Sequence, residues 1–125
     1  MAVTGFSNHD YDTGFENVEK LLPAWKSQIV AANVGASFTS VSPYHLVAAE
    51  PGLTLAFVGV LGSQARSVID ASVLDNLNIT GASDTDALLE ARTAAAAAGG
   101  NYFVALLDSR LSSPDEVDAF VAPFV

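Results

Sequence analysis

Between Ser83 and Leu107 the sequence runs a capped helix, a double-glycine stop and a strand together with almost no residues to spare, and this unit limits how the rest can fold. Ser83-Asp84-Thr85-Asp86 offers an N-cap hydroxyl with a carboxylate three residues on. That variant of the capping box satisfies backbone N–H groups that the first helical turn leaves unpaired. Ala87 to Ala98 has nearly maximal helix propensity, and Gly99-Gly100 supplies the stop. Asn101–Leu107 then reads as a strand. Alanine side chains are thin, so this helix is predicted to lie close against a sheet or another helix.

The other segments are less sharply punctuated. Residues 1–14 show no period and read as an N-terminal arm or loop, leaving 15–125 as a single domain. Phe15, Val18, Leu22, Trp25, Ile29 and Ala32 recur at steps of three and four, which predicts a helix closing near Asn33 to Gly35. Pro23 falls inside it and must kink or restart it. Ser37–Val41 and His45–Ala49 read as short strands. Glu50-Pro51-Gly52 is a turn, and Leu53–Leu61 is long and apolar enough for a central strand that pairs with His45–Ala49 as a hairpin. After Gly62-Ser63, the residues Ala65, Val68, Ile69, Val73 and Leu77 mark a helix, with a strand over Ser67–Leu74 as the competing reading. A last helix is capped by Ser113, has Pro114 at its first position and Glu116 completing the box. Its apolar stripe is Val117, Phe120, Val121 and Phe124.

Strands and helices mix here without strict alternation. The expected class is α+β, a small, mostly antiparallel sheet packed with three or four helices, with a three-layer α/β arrangement as the alternative.

Composition narrows the partners. The 125 residues include 5 Lys or Arg against 14 Asp or Glu, a formal charge of −9, and charged residues make up only 15%, where about 25% is ordinary. Lys20, Lys26, Arg66, Arg92 and Arg110 are scattered, which argues against a nucleic-acid partner and against an anionic membrane surface. Cysteine is absent, so thiolate chemistry and disulfides are excluded. No leader-like opening and no run near the ~20 apolar residues of a spanning helix is visible. The expectation is a soluble chain without a signal peptide, from a virion or the cytoplasm.

Four constellations are candidates for chemistry. Asn8, Asp10, Asp12 and Glu19 occupy the first, third, fifth and twelfth positions of a calcium-type loop, but Thr13 stands where such a loop needs glycine. They are a weak calcium site set beside the plainer reading that Asp12 or Thr13 caps the following helix. Phe57 to Arg66 is a strand entering a glycine turn and a helix, a place where backbone N–H groups and Arg66 can hold an anion; the lysine and third glycine of known phosphate loops are missing. His45 and Asp108 are conceivable members of a hydrolytic triad, although no Gly-x-Ser-x-Gly elbow exists. Arg110 pairs most simply with Asp108 or Asp115.

No nucleophile–base pair is identifiable, so no catalytic residue or cofactor is assigned. The preferred functional expectation is a non-catalytic structural protein, such as a virion or shell component, that self-associates or packs on neighbouring subunits through Trp25, Phe120, Val121 and Phe124. A low-charge surface suits burial against protein, because interface cores are depleted in charge. The rivals are a small acidic inhibitor, with Asp70, Asp75, Asp84, Asp86 and Glu90 gathered on one face, and a small-molecule-binding or enzymatic α+β domain with a pocket at Tyr44, His45 or Asp108.

Overall fold

A computed structural model describes every residue except Met1, Ala36, Ser37, Thr39, Ala82, Arg110, Ser112 and Val125. Its elements are β1 (Val3–Gly5), α1 (Phe15–Leu21), β2 (Gln28–Val30), β3 (Val41–Ser42), β4 (Tyr44–Glu50), β5 (Leu53–Leu61), α2 (Ser63–Arg66), α3 (Ala71–Leu77), α4 (Asp84–Ala97), β6 (Tyr102–Asp108) and α5 (Pro114–Val121). They form two three-stranded sheets, ordered β1-β2-β3 and β4-β5-β6. The class is α+β, with five helices among the described residues.

Strand direction departs from the expectation of a mostly antiparallel sheet. The β4–β5 hairpin is antiparallel, turning at Glu50-Pro51-Gly52 as expected, but β1–β2, β2–β3 and β5–β6 are all parallel. The reason lies in the connections. Every parallel neighbour is joined through an intervening helix or loop long enough to carry the chain back, and α4 serves this purpose between β5 and β6. Its double-glycine stop works as predicted: Gly99 takes a positive φ of 103°, and its N–H and that of Gly100 bond the Ala96 and Ala95 carbonyls.

The first fourteen residues, expected as an arm, belong to the fold. β1 pairs with β2, and Phe6 and Tyr11 are buried at 3% and 4% exposure. Their rings meet at 5.3 Å, and Phe6 also contacts Phe38 and Trp25. No period flagged this segment because its two anchors are separated by polar turn residues. The helix expected to run on to Asn33 also ends early. Pro23 has no N–H to continue the α-helical ladder, so α1 tightens into a single 3-10 turn over Leu22–Ala24. Ile29 and Val30 then extend as β2, buried almost completely. β-branched residues between two strand partners favour this pairing over a restarted helix. Of the strand placed over Ser37–Val41 only Val41 lies in β3, which continues to Ser42; Ser37 and Thr39 lie outside the described residues. The predicted helix after Gly62 is split into α2 and α3 at Asp70, whose carboxylate accepts the Ser72 N–H and caps α3.

The two sheets stack on each other. Alternation along β5 sends Val58 and Val60 to one face, where they join Ala87, Leu88 and Ala91 of α4 in a core cluster. The opposite face carries Gly59, against which the other sheet packs: its carbonyl accepts the Ala32 N–H at 2.6 Å. A Cβ at residue 59 would stand 2.5 Å from the Val30 carbonyl oxygen, so glycine is what lets the sheets approach. On the far side of β2 a second cluster joins Ile29, Val18, Leu22 and Leu77.

Gly59→Ala is therefore expected to lower stability by about 1–3 kcal/mol through overpacking. Urea denaturation of the two proteins measures this difference.

Candidate functional site

Parallel strands bring their C-terminal ends, and the loops that follow, to one edge. In this fold that edge collects the exits of β1, β5 and β6. Gly5 lies beside Leu106, and three residues later the Asn8 N–H donates to the Asp108 carboxylate at 2.7 Å, so β1 and β6 run the same way. The Gly62 N–H at the end of β5 donates to the Asp108 carbonyl at 3.0 Å. A pocket of about 390 Å³ opens where the three exits meet, with Asn8, His9, Gln64, Ser67 and Asp108 as its polar lining.

Local structure positions the imidazole. Ser7 precedes a 3-10 turn over Asn8–Tyr11, and the Asp10 carboxylate accepts the Ser7 N–H at 2.8 Å. This turn sets His9 and Asp12 on one side, three residues apart, and His9 Nδ1 meets Asp12 Oδ2 at 2.9 Å. The hydrogen bond to Asp12, then the Asp12 charge, raise the His9 pKa above its ordinary value, with weaker support from Asp108 and Asp10. Burial opposes the shift only slightly, since the His9 side chain is 80% exposed. Burial pushes the Tyr11 phenol up, and its hydroxyl has no hydrogen-bond partner among the described residues.

A second polar cluster, with Asn33 and Leu61 buried and Arg66 and Asp84 partly buried, lies behind the edge. Asn33, 1% exposed, spans the Leu61 peptide: its amide N–H donates to the Leu61 carbonyl at 2.9 Å and its carbonyl oxygen accepts the Leu61 N–H at 3.0 Å. Arg66 donates to the same Leu61 carbonyl at 3.1 Å and to Asp84 Oδ1 at 2.9 Å. Asp84 Oδ2 accepts the Ser63 N–H at 2.7 Å. The anion seat expected at Gly62–Arg66 is thus filled from within, by a carboxylate at the first position of α4. Ser83 and Asp86 meanwhile form the predicted cap.

The calcium candidates are not brought together. The Asp10 carboxylate is turned to Ser7 and that of Asp12 to His9, the Asn8 backbone is tied to Asp108, and Glu19 is exposed on α1. Among the described residues no group of three or more His, Cys, Asp or Glu is placed to hold a metal ion. The imagined triad is not assembled either. Asp108 lines the pocket, but His45 sits in β4 opposite Phe57, and Tyr44 packs on the α4 cluster. Arg110 lies outside the described residues.

The proposed interface residues divide. Trp25 packs inward against the first core cluster, with its ring 6.3 Å from that of Phe6. Phe120 and Phe124 pack against the second cluster, while Val121 and Val117 stay exposed at 37% and 41%. The acids named for an inhibitor face are spread over α3 and α4, and Asp70, Asp84 and Asp86 are each engaged within the fold. No helix among the described residues is long and apolar enough to cross a membrane.

No family model and no curated protein matches this sequence. Solved structures do share its fold. A 5′-nucleotidase precursor from Thermus thermophilus superposes with a TM-score of 0.68 at 21% identity, over 85% of this chain and 21% of that one. The sulfate thiohydrolase SoxB from the same species gives 0.69 at 23%, over 86% and 20%. The NAD nucleotidase of Haemophilus influenzae gives 0.69 at 16%, over 97% and 21%. The chain therefore has the fold of one part of these proteins, and it spans about a fifth of each.

His9 is one of two histidines in the sequence and lies inside the calcium-type stretch between Asn8 and Asp10, where the ligand spacing drew attention to its neighbours instead. The signal that could have found the pair is His9-x-x-Asp12 itself, a spacing that one helical turn brings into contact.

The His9 imidazolium is expected to persist above pH 6.5. Because the folded-state pKa is raised, the pair's stabilisation is complete below the unfolded value and is lost as pH rises through the folded one. An NMR titration of the His9 ring should show a midpoint above 6.5 that falls in Asp12→Asn.

Proposed function

We propose that this chain is part of a hydrolase fold that acts on esters of tetrahedral oxyanions, with nucleotide phosphates as the leading substrate class. The observation that carries the reading is the His9–Asp12 pair beside Asn8, at the common edge of β1, β5 and β6. The fold likeness supports it from a second direction, since those proteins are described as nucleotidases and a sulfate thiohydrolase.

The chemistry asked of this edge is modest. Asp12 holds Nδ1, so Nε2 is the nitrogen left to face a substrate, and the hydrogen bond and charge of Asp12 favour the protonated ring. A charged imidazole donates to a phosphoryl oxygen and then serves as general acid. As water adds to phosphorus, the P–O ester bond breaks and the Nε2 proton passes to the departing alkoxide oxygen. The water's proton restores the imidazolium. The Asn8 and Gln64 side chains offer neutral donors for the remaining oxygens. Asp108 would repel a phosphate, and its bond to the Asn8 N–H occupies one of its oxygens. Phosphatases commonly clamp the transferring group between two metal ions; the described residues gather no such ligand set, and no step is assigned to a metal.

A second reading keeps the chain as a non-catalytic assembly subunit. The observation favouring it is α5, where Val117 and Val121 are exposed while Phe120 and Phe124 pack beneath. The charge-poor composition agrees with coverage by other protein.

Phosphate release from 5′-AMP and p-nitrophenyl phosphate, with sedimentation velocity on the same preparation, separates the two. The hydrolase reading expects turnover that falls about 100-fold or more in His9→Ala. No turnover, with no 5′-AMP-induced NMR shifts at Asn8 and His9, contradicts it. An oligomer with neither would establish the assembly reading in its place.

A further inference from the structure

A second pocket, on the opposite face of the β4-β5-β6 sheet from the sheet–sheet contact, has a different chemical character. Strand alternation places Phe103, Ala105 and Leu107 of β6 on the α4 side. Ala105 is the short residue of the three, and it leaves a gap between its two larger neighbours. α5 and the turn after it roof this gap with Phe120 and Phe124, and the floor includes Val58. The space they line is a partly open groove of about 210 Å³. A cavity of roughly 150 Å³ lined by aliphatic and aromatic groups takes up benzene, so a single ring with a small substituent fits.

The polar member of this lining is Arg92, which comes from the second buried turn of α4. Its guanidinium lies over the Phe103 ring, 5.2 Å from the centroid. Arg66, by contrast, is fully engaged by Asp84 and Leu61. Arg92 makes no ion pair among the described residues, and no Asp or Glu lines the pocket. In a chain with 14 acids and 5 bases, this half-buried arginine keeps its guanidinium without a carboxylate partner among the described residues. A guanidinium presents parallel N–H donors whose geometry matches a carboxylate.

From this charge complementarity we infer that the pocket between α4, β6 and α5 binds a small aromatic carboxylate, its ring among Phe103, Phe120 and Phe124 and its anion on Arg92. The inference is independent of the His9 edge, which opens at the ends of the strands and not on this face. It gives the C-terminal aromatic stripe a ligand in place of a protein neighbour.

Titration of the ¹⁵N-labelled 125-residue chain with benzoate, and separately with benzyl alcohol, tests it by NMR. Saturable shifts are expected at Ala105, Leu107, Phe120 and Phe124, with a benzoate Kd of about 1 mM or tighter. Arg92→Met should weaken benzoate about tenfold or more and leave benzyl alcohol unchanged. Ala105→Leu, which fills the gap from an exposed strand position, should abolish both, and it decides the matter should Arg92→Met fail to fold. No saturable shift up to about 10 mM overturns the proposal, as does benzoate binding that ignores both substitutions. Concentration-dependent self-association that buries the same residues and is indifferent to benzoate also overturns it.

Discussion

A single buried amide, that of Asn33, holds the candidate edge of this protein together. Asn33 replaces a neighbouring strand at the end of β5, giving the Leu61 peptide both of its hydrogen bonds. In a dry site such a group is costly to leave unpaired and contributes most when every partner is satisfied. Here the satisfaction is shared: Arg66 also reaches the Leu61 carbonyl, Asp84 neutralises Arg66, and the second Asp84 oxygen takes the Ser63 N–H. Side chains from the β2 exit, α2 and α4 thereby meet at one peptide. From Leu61 the path continues through Gly62 to the Asp108 carbonyl and from the Asp108 carboxylate to the Asn8 N–H, next to His9. Geometry at the exposed His9–Asp12 pair is inherited from a network anchored on the buried Asn33 and Leu61.

That arrangement explains how a polar edge with a positioned imidazole can sit on so small a sheet. The exposed pair by itself would be weakly held, since a solvent-facing ion pair contributes little. Its position comes instead from the 3-10 turn, fixed at one end by Asp10 and at the other by the buried Tyr11. The stacking of the two sheets at Gly59 brings β1 beside β6 and makes the turn and the Asp108 exit neighbours. The pocket on the α4 side is lined by other residues, so the two pockets separate between one face and the end of one sheet.

Much of the local structure was legible in the sequence. The caps at Ser83 and Ser113, the double-glycine stop, the Glu50-Pro51-Gly52 turn and the central place of Leu53–Leu61 all rest on short-range rules, and the structure has each of them. What failed was long-range. Ile29 fits a helical period as readily as a strand, and nothing nearby announces that β1 and β3 flank it. Strand direction likewise depends on which strands become neighbours. Asp84 looked like part of a cap, while its partners Ser63 and Arg66 lie 21 and 18 residues upstream. The His9–Asp12 pair was the one missed feature that local spacing did encode.

Amide hydrogen exchange at Leu61 tests the central claim most directly. If Asn33 and the Asp84–Arg66 pair hold this edge, the Leu61 and Ser63 amides belong to the slowest-exchanging class. In Asn33→Ala both should then exchange at least about tenfold faster than in the parent, with the Asn8 amide following them. Slow exchange at Leu61 that persists unchanged in Asn33→Ala would contradict the account.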